Sequence, residues 1–302
     1  MKRFNAVEIL TFFYGLLTAA YILAFFVKID NAAELLLNRG AIFAALFLIR
    51  LAGERFPNRA TGFVRYVFPF AMVSYWYPET YYLNEGVLVS NLDWVFDAAD
   101  RRLFGCSPAM EFSARCPSPL MSELMYFGYF SYFLIFLLLF ASLYFRRSAA
   151  AERAMFVTLC SFFLFYLIFV FVPVKGPQFH YPAADVGVPE GYFFSSLMRS
   201  IQASGEKPTG AFPSSHVGMT LIALAFIRRY LQRLFLPVLP VAAALTASTV
   251  YIKAHYLTDV VAAFVAAPAL FVLSGVIFGV FKGWNFASYP SAPSTDAKRE
   301  AP

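Results

Sequence analysis

The sequence predicts an all-α fold, a polytopic membrane helix bundle of about eight transmembrane helices, and two observations carry that prediction. The first is composition: of 302 residues, 60% are hydrophobic and only 14% are charged, where a soluble globular protein carries about 25% charged residues. Aromatics reach 19%, with 37 Phe among them, and mean hydropathy is +0.63. The second is pattern: runs near the length that crosses about 30 Å of hydrocarbon fall at 7–27, 34–52, 64–82, 122–145, 154–173, 213–229, 236–252 and 257–281. Together these exclude disorder, a coiled coil, a disulfide-framework miniprotein and an ordinary cytosolic enzyme. The net charge of +6 does not signal nucleic acid, because Lys and Arg stand in short groups between apolar runs rather than along one face. Cys106, Cys116 and Cys160 contain no C-x-x-C pair, so no zinc site is implied.

Each run has its own justification. The first follows Lys2 and Arg3 and is too long for a signal-peptide core, so it reads as a retained helix. The second and third are the weakest, with Arg39 and Arg50 toward the ends of one and the polar stretch from Tyr77 to Tyr82 in the other. Eight crossings put both termini on one side. Cytoplasmic termini place 15 of the 24 Lys+Arg in inner segments, as the positive-inside rule requires. Two long segments, 83–121 and 174–212, then face outward. In the first, Leu92, Val95, Phe96, Leu103 and Phe104 recur at helical spacing among Asp93, Asp97, Asp100, Arg101 and Arg102, the pattern of an amphipathic helix lying at the interface. Cys106 and Cys116 follow, either as a disulfide on an oxidising side or as two unpaired thiols. The division is therefore 1–83, N-terminal transmembrane helices; 84–121, the outer amphipathic segment; 122–287, a transmembrane core; and 288–302, a tail rich in Ser, Ala and Pro that reads as disordered. Short loops and the lack of a targeting signal favour a bacterial inner membrane, with the outer segments in the periplasm.

The candidate chemistry lies at the outer ends of the last helices. His180 falls in Lys175-Gly176-Pro177-Gln178-Phe179-His180, after the fifth run. His216 falls in Phe212-Pro213-Ser214-Ser215-His216, where the sixth begins. His255 falls in Lys253-Ala254-His255-Tyr256-Leu257-Thr258-Asp259, between the seventh and eighth. In this topology all three segments emerge on the same side. His255 and Asp259 stand at i, i+4, on one face of a helix. A carboxylate that takes the proton of one imidazole nitrogen leaves the other free for attack; the plainer reading is a His–Asp contact that caps the eighth helix. An acidic residue at the membrane edge is costly and marks a functional site by default. Pro213-Ser214-Ser215 opens a helix whose unpaired N–H groups suit a phosphate, although an ordinary Ser cap explains the same residues without the His. Lys175 adds a cation or snorkels to the interface.

These three segments resemble the signature regions of the type 2 phosphatidic acid phosphatase superfamily, which includes integral-membrane lipid phosphatases and, more distantly, inositol phosphorylceramide synthases. The resemblance covers about residues 122–281. The third region is the closest, through Ser248, Val250, Tyr251, His255, Tyr256, Thr258, Asp259 and Val260. It implies a six-helix phosphatase-type core in which His255 attacks phosphorus to form a phosphohistidine and Asp259 orients it. His216 is implied as the general acid and then base, and Lys175, the Ser214 hydroxyl and the Ser215 N–H as holders of the phosphoryl oxygens. No metal or cofactor is implied. The implied partner is a membrane lipid phosphate or phospholipid in the bilayer.

The chain departs from the family pattern at three points. Ser215 stands where Gly is usual before the second-region His. Thr249 replaces the Arg that follows the third-region Ser, and Pro182 the Arg seven residues after Lys175. Two cationic phosphate ligands are thus missing, and Lys253, Gln178 and His180 are the candidate replacements. A site with fewer cations suits a diester, with one negative charge, better than a monoester with nearly two. The Phe-Pro-Ser-x-His form of 212–216 is similar to that of inositol phosphorylceramide synthases, so head-group phosphotransfer stands close behind hydrolysis. A lipid transporter or a non-catalytic scaffold is the alternative from another class. It expects polar residues spread through helix interiors, whereas the runs here read as almost uniformly apolar.

Overall fold

A computed structural model describes residues 4–87, 91–146, 148 and 150–283. Among the described residues all regular structure is helical, without strands. In chain order the helices are α1 (Ala6–Ala24), α2 (Ala32–Arg55), α3 (Arg59–Ala71), α4 (Val73–Val87), α5 (Asp93–Phe104), α6 (Pro108–Arg115), α7 (Pro119–Phe145), α8 (Ala150–Phe171), the single turn α9 (Pro177–His180), α10 (Phe193–Gly205), α11 (Ser215–Tyr230), α12 (Gln232–Tyr251) and α13 (Leu257–Lys282). The tail assigned to 288–302 lies outside the described residues.

Every apolar run is helical, but among the described residues six helices, against the eight expected, are long and apolar enough to cross a membrane: α1, α2, α7, α8, α12 and α13. The run at 64–82 divides into α3 and α4 at Met72, between Pro69 and Pro78. Each proline lacks the N–H that a continuous helix needs. The run at 213–229 becomes α11, 16 residues long and so about 24 Å. It packs against α7, α8, α12 and α13 and buries Val217, Met219, Ile222, Ala223, Phe226 and Ile227.

Local chemistry fixes the helix starts. Asn5 and Glu8 form a reciprocal capping box at α1. Ser118 accepts from Met121 at 3.1 Å ahead of Pro119 at α7, and Ser214 caps α11 through the Val217 N–H. The core is aromatic: Tyr14 of α1 stacks on Phe163 of α8 with centroids 4.0 Å apart, and Phe136, Phe140, Phe162 and Tyr166 join the same cluster. Gly128 brings α7 onto α12 so closely that a Cβ there would stand 2.8 Å from the Ala244 carbonyl oxygen.

The expectation of uniformly apolar helix interiors fails in the N-terminal half. Arg39 is inside α2, 2% exposed, and forms a two-pronged ion pair with Glu79 of α4 at 2.9 and 2.7 Å. Its Nε also donates to Thr18, its Nη1 to the Leu35 carbonyl, and its guanidinium lies over the Trp76 ring. Charge enters this helix pair only with its counter-charge and hydrogen-bond partners.

The segment at 83–121 also differs from expectation. α5 forms over the predicted residues, but Asp93 and Asp100 are fully buried while Trp94, Val95, Leu103 and Phe104 are exposed. Its carboxylates face the protein and its apolar face points outward. Cys106 and Cys116 are free thiols. They flank α6, whose eight residues span about 12 Å, well beyond the 4.4–6.8 Å between Cα atoms that a disulfide requires.

Candidate active site

Four cross-segment hydrogen bonds join the three sequence regions into one structure. The Ala211 N–H donates to the Val174 carbonyl at 3.0 Å, the Gln178 N–H to the Lys253 carbonyl at 2.9 Å, and the Ser214 N–H to the Asp259 carbonyl at 3.1 Å. The Ala211 carbonyl in turn lies 2.7 Å from His255 Nδ1. Gly176 permits the closest approach: its φ is +92°, and a Cβ would stand 2.5 Å from the Ala254 carbonyl oxygen, so only glycine fits.

α5 clamps this assembly from outside, a role the sequence reading missed. Asp93 accepts from the backbone N–H groups of Lys175 and Gly176, both at 2.9 Å, and from the Tyr256 hydroxyl at 3.1 Å. Two turns later Asp100 accepts from the N–H groups of Leu257 and Thr258, both at 2.9 Å, at the start of α13. A carboxylate at a helix N-terminus completes the orphan donors and opposes the helix dipole. Burial pushes the Asp100 carboxyl above the usual carboxylate range, and the two N–H groups oppose that rise. The seven-residue spacing that puts both acids on one face of a helix was the available signal.

At the centre, His255 is 3% exposed. A carbonyl can only accept, so the Ala211 contact requires the proton on Nδ1 and leaves Nε2 with its lone pair. That nitrogen faces His216 Nδ1 at 3.4 Å. Asp259 Oδ2 lies 3.7 Å from His255 Nδ1, beyond hydrogen-bond range, and instead accepts from the Tyr256 N–H at 2.8 Å. Its Oδ1 is buried with no hydrogen-bond partner. Asp259 therefore stands beside, but not hydrogen-bonded to, an imidazole whose Nδ1 the Ala211 carbonyl engages. His216 is held between two rings of α7, with centroids 4.6 Å from Tyr129 and 4.7 Å from Tyr132.

The remaining predicted residues separate. Ser214 and Ser215 are buried at the start of α11, beside the His pair. Lys175 is fixed through its backbone by Asp93, and its ammonium has no partner among the described residues. Gln178 hydrogen-bonds through its Nε2 to Glu206 Oε1 at 2.7 Å. Lys253, in the left-handed region at φ +63°, turns away from the His pair: its Nζ donates to Ser113 Oγ at 2.6 Å and to the Gly187 carbonyl at 3.2 Å. Burial lowers its pKa. His180 is exposed and touches Tyr181 and Tyr256, not the His pair. At the two substituted positions, Thr249 is buried with its hydroxyl on the Thr246 carbonyl, and Pro182 is exposed. Neither restores a cation.

Glu206, just past the C-terminus of α10, was not singled out by the sequence. It lies within electrostatic reach of both His255 and Tyr129, and burial pushes its carboxyl above the usual range, with the Gln178 amide opposing. Chemically, the arrangement offers an imidazole with one nitrogen turned to a second imidazole, a buried carboxyl behind, and a helix N-terminus beside them.

Neither the curated proteins nor the solved structures compared with the chain give a match. A family model described as the PAP2 superfamily matches residues 94–273. The match begins one residue into α5, so Asp100 lies inside the family region and Asp93 just outside it. It runs over more than half of the chain and takes in all three regions joined here, and on that ground the chain belongs to the PAP2 superfamily, whose members are phosphoesterases.

Proposed function

We propose that the protein is a metal-independent membrane lipid phosphoesterase that works through a phosphohistidine on His255, with its site at the outer interface of a bacterial inner membrane and both termini cytoplasmic. The observation that carries this reading is the lone pair of His255 Nε2, held in place by the 2.7 Å contact of Nδ1 with the Ala211 carbonyl and directed at His216. In the first half-reaction the Nε2–P bond forms and the P–O bond to the leaving alcohol breaks. His216 delivers the proton to the departing alkoxide. Asp259, buried beside Nδ1, offsets the positive charge that grows on the imidazole. In the second half-reaction His216 takes a proton from water as the new O–P bond forms and the Nε2–P bond breaks. Lys175, the Ser214 hydroxyl and the Ser215 N–H hold the phosphoryl oxygens throughout, where a helix start and one cation favour negative charge.

A second reading differs only in the acceptor, a lipid hydroxyl in place of water. One observation favours it: Thr249 and Pro182 leave the cation count low, and Lys253 and His180 do not face the His pair. A monoanionic diester fits such a site better than a dianionic monoester.

The test uses detergent-purified protein with chelator present and follows phosphate release and head-group transfer from mixed lipids. His255→Ala is expected to lower turnover by at least about 10⁴-fold, and His216→Ala by about 10² to 10⁴-fold. Vanadate, a mimic of the five-coordinate phosphoryl state, is expected to inhibit. Turnover that survives His255→Ala would overturn the covalent mechanism, and transfer without phosphate release would decide for the lipid acceptor.

A further inference from the structure

A second polar feature adjoins the His pair. A cavity of about 470 Å³ opens between α10, the start of α7 and the segment after α9, lined among others by Tyr126, Gln178, Val188, Arg199, Gln202 and Glu206. Its volume is that of a small-molecule site, far more than a hydrolytic water needs. Gln178 connects it to the reaction centre, since its side chain holds Glu206, which lines the cavity, while its backbone N–H is bonded to the Lys253 carbonyl two residues before His255. We propose that this cavity binds the hydroxylated head group of a phosphodiester lipid, and that Glu206, steadied by Gln178, selects an uncharged hydroxyl-bearing group over an anionic one.

The chemistry of the lining supports the assignment. Gln178, Gln202 and Glu206 supply carbonyl, amide and carboxyl groups, which accept from and donate to hydroxyls. The Gln178 contact at 2.7 Å occupies one lone pair of one Glu206 oxygen, and a carboxyl oxygen can accept more than one donor. Among the residues that line the cavity, Arg199 alone is cationic, and it is engaged: it donates to the Val188 carbonyl at 2.9 Å and to Glu190 at 3.3 Å, and lies over the Tyr126 ring. The Lys253 ammonium at the cavity wall is likewise engaged, by Ser113 and the Gly187 carbonyl, so an anionic head group would meet the Glu206 carboxyl with both nearby cations already taken, while a neutral diol would meet only hydrogen-bonding partners. Rejection by like charge is a form of specificity that attractive contacts alone do not give.

The inference rests on the phosphoesterase reading above, and its test keeps the two apart. Purified protein is assayed in mixed micelles with phosphatidylglycerol, whose head group is a neutral diol, with N-acetylated phosphatidylserine, whose head group carries a carboxylate and no ammonium, and with phosphatidic acid, which has no head group. The expected wild-type preference in kcat/KM for phosphatidylglycerol over the N-acetylated phosphatidylserine is about tenfold or more, and Glu206→Gln should shrink it to within about threefold. Gln178→Leu, which frees the carboxyl to move, should lower the same ratio. Because the readout is a ratio within one preparation, partial unfolding does not mimic it. A ratio unchanged in both variants, or a wild type that turns over phosphatidic acid and no diester, overturns the inference even where His255→Ala is inactive. Activity in His255→Ala would instead overturn the underlying mechanism.

Discussion

The molecule buries charge in two places and treats it in opposite ways. In the N-terminal helices, Arg39 and Glu79 meet through two hydrogen bonds, and Thr18, Leu35, Tyr75 and Trp76 complete their surroundings. At the candidate active site no buried acid has an Arg or Lys partner. Asp93 and Asp100 are met by backbone N–H groups and a tyrosine, and Asp259 keeps one oxygen unpartnered. The first arrangement is closed, so it can hold helices together but has nothing to offer a ligand. The second leaves a carboxyl oxygen and a lysine without partners among the described residues and joins His255 Nε2 only to the second histidine, at 3.4 Å, the condition for binding and proton transfer.

The sharpest way to break this comparison is through α5. Asp93→Ala removes the acceptor of three donors, two of them backbone N–H groups that no other side chain reaches. At roughly 1–3 kcal/mol for each buried group left unsatisfied, the expected loss is about 4 kcal/mol of stability. A displacement of about 1 Å at Lys175 and Gly176 also costs on the order of 10²-fold in turnover. Asp93→Asn supplies one carbonyl oxygen but turns an amide N–H₂ toward the other donors, so it should recover only part of both. Thermal midpoints and turnover per folded molecule, measured together, check this. Normal turnover in folded Asp93→Ala would remove α5 from the site.

The opposite result is expected at the closed pair. Arg39→Met leaves Glu79 buried without its counter-charge and should cost about 3–5 kcal/mol. The double variant Arg39→Met with Glu79→Leu should regain most of that loss, because an apolar pair of similar volume needs no desolvation. Turnover per folded molecule should stay at the wild-type level in both. A large loss of turnover in the folded double variant would show that the N-terminal helices couple to the chemistry, and the division between the two regions would fail.

What the sequence discloses follows from how far apart the interacting residues stand. The three signature segments were legible because each is local: Ser214 before His216, or His255 four residues from Asp259, marks its chemistry within one turn of helix. The convergence of the segments was expected from eight crossings, but it is the hydrogen bonds of Ala211, Gln178 and Ser214, not the helix count, that establish it. The α5 clamp was half legible, since Asp93 and Asp100 read as the polar face of an interfacial helix. Which way that face points depends on donors at Lys175, Gly176, Leu257 and Thr258, more than 80 residues away in the chain. Arg39 read as the end of a span because its partner, Glu79, lies 40 residues on, in a run interrupted by prolines. Proline alone was no guide to the division of that run into two helices, since Pro69 and Pro78 lie inside α3 and α4, and α12 and α13 run unbroken through Pro237, Pro240 and Pro268. Glu206 has no local motif, and only the tertiary contact with Gln178 and the cavity it lines give it meaning.

Glu206 also provides the smallest expected effect, and its sign separates a site carboxyl from a structural one. Burial raises the folded-state pKa of Glu206 above its ordinary value of 4.5, so the folded protein holds this proton more tightly than the unfolded chain does. The stabilising contribution is complete below the unfolded value and is lost as pH rises through the raised folded value. Wild-type stability should therefore fall across that window relative to Glu206→Gln, which has no proton to lose. The difference in thermal midpoint, Glu206→Gln minus wild type, should grow as pH increases from about 4 toward neutrality. A carboxyl held by a cation gives the reverse slope, since its folded pKa lies below the unfolded value and its stability is lost as pH falls. A flat difference would mean that burial does not perturb Glu206, and a falling one that it has found a positive partner; a carboxyl so offset could not repel an anionic head group.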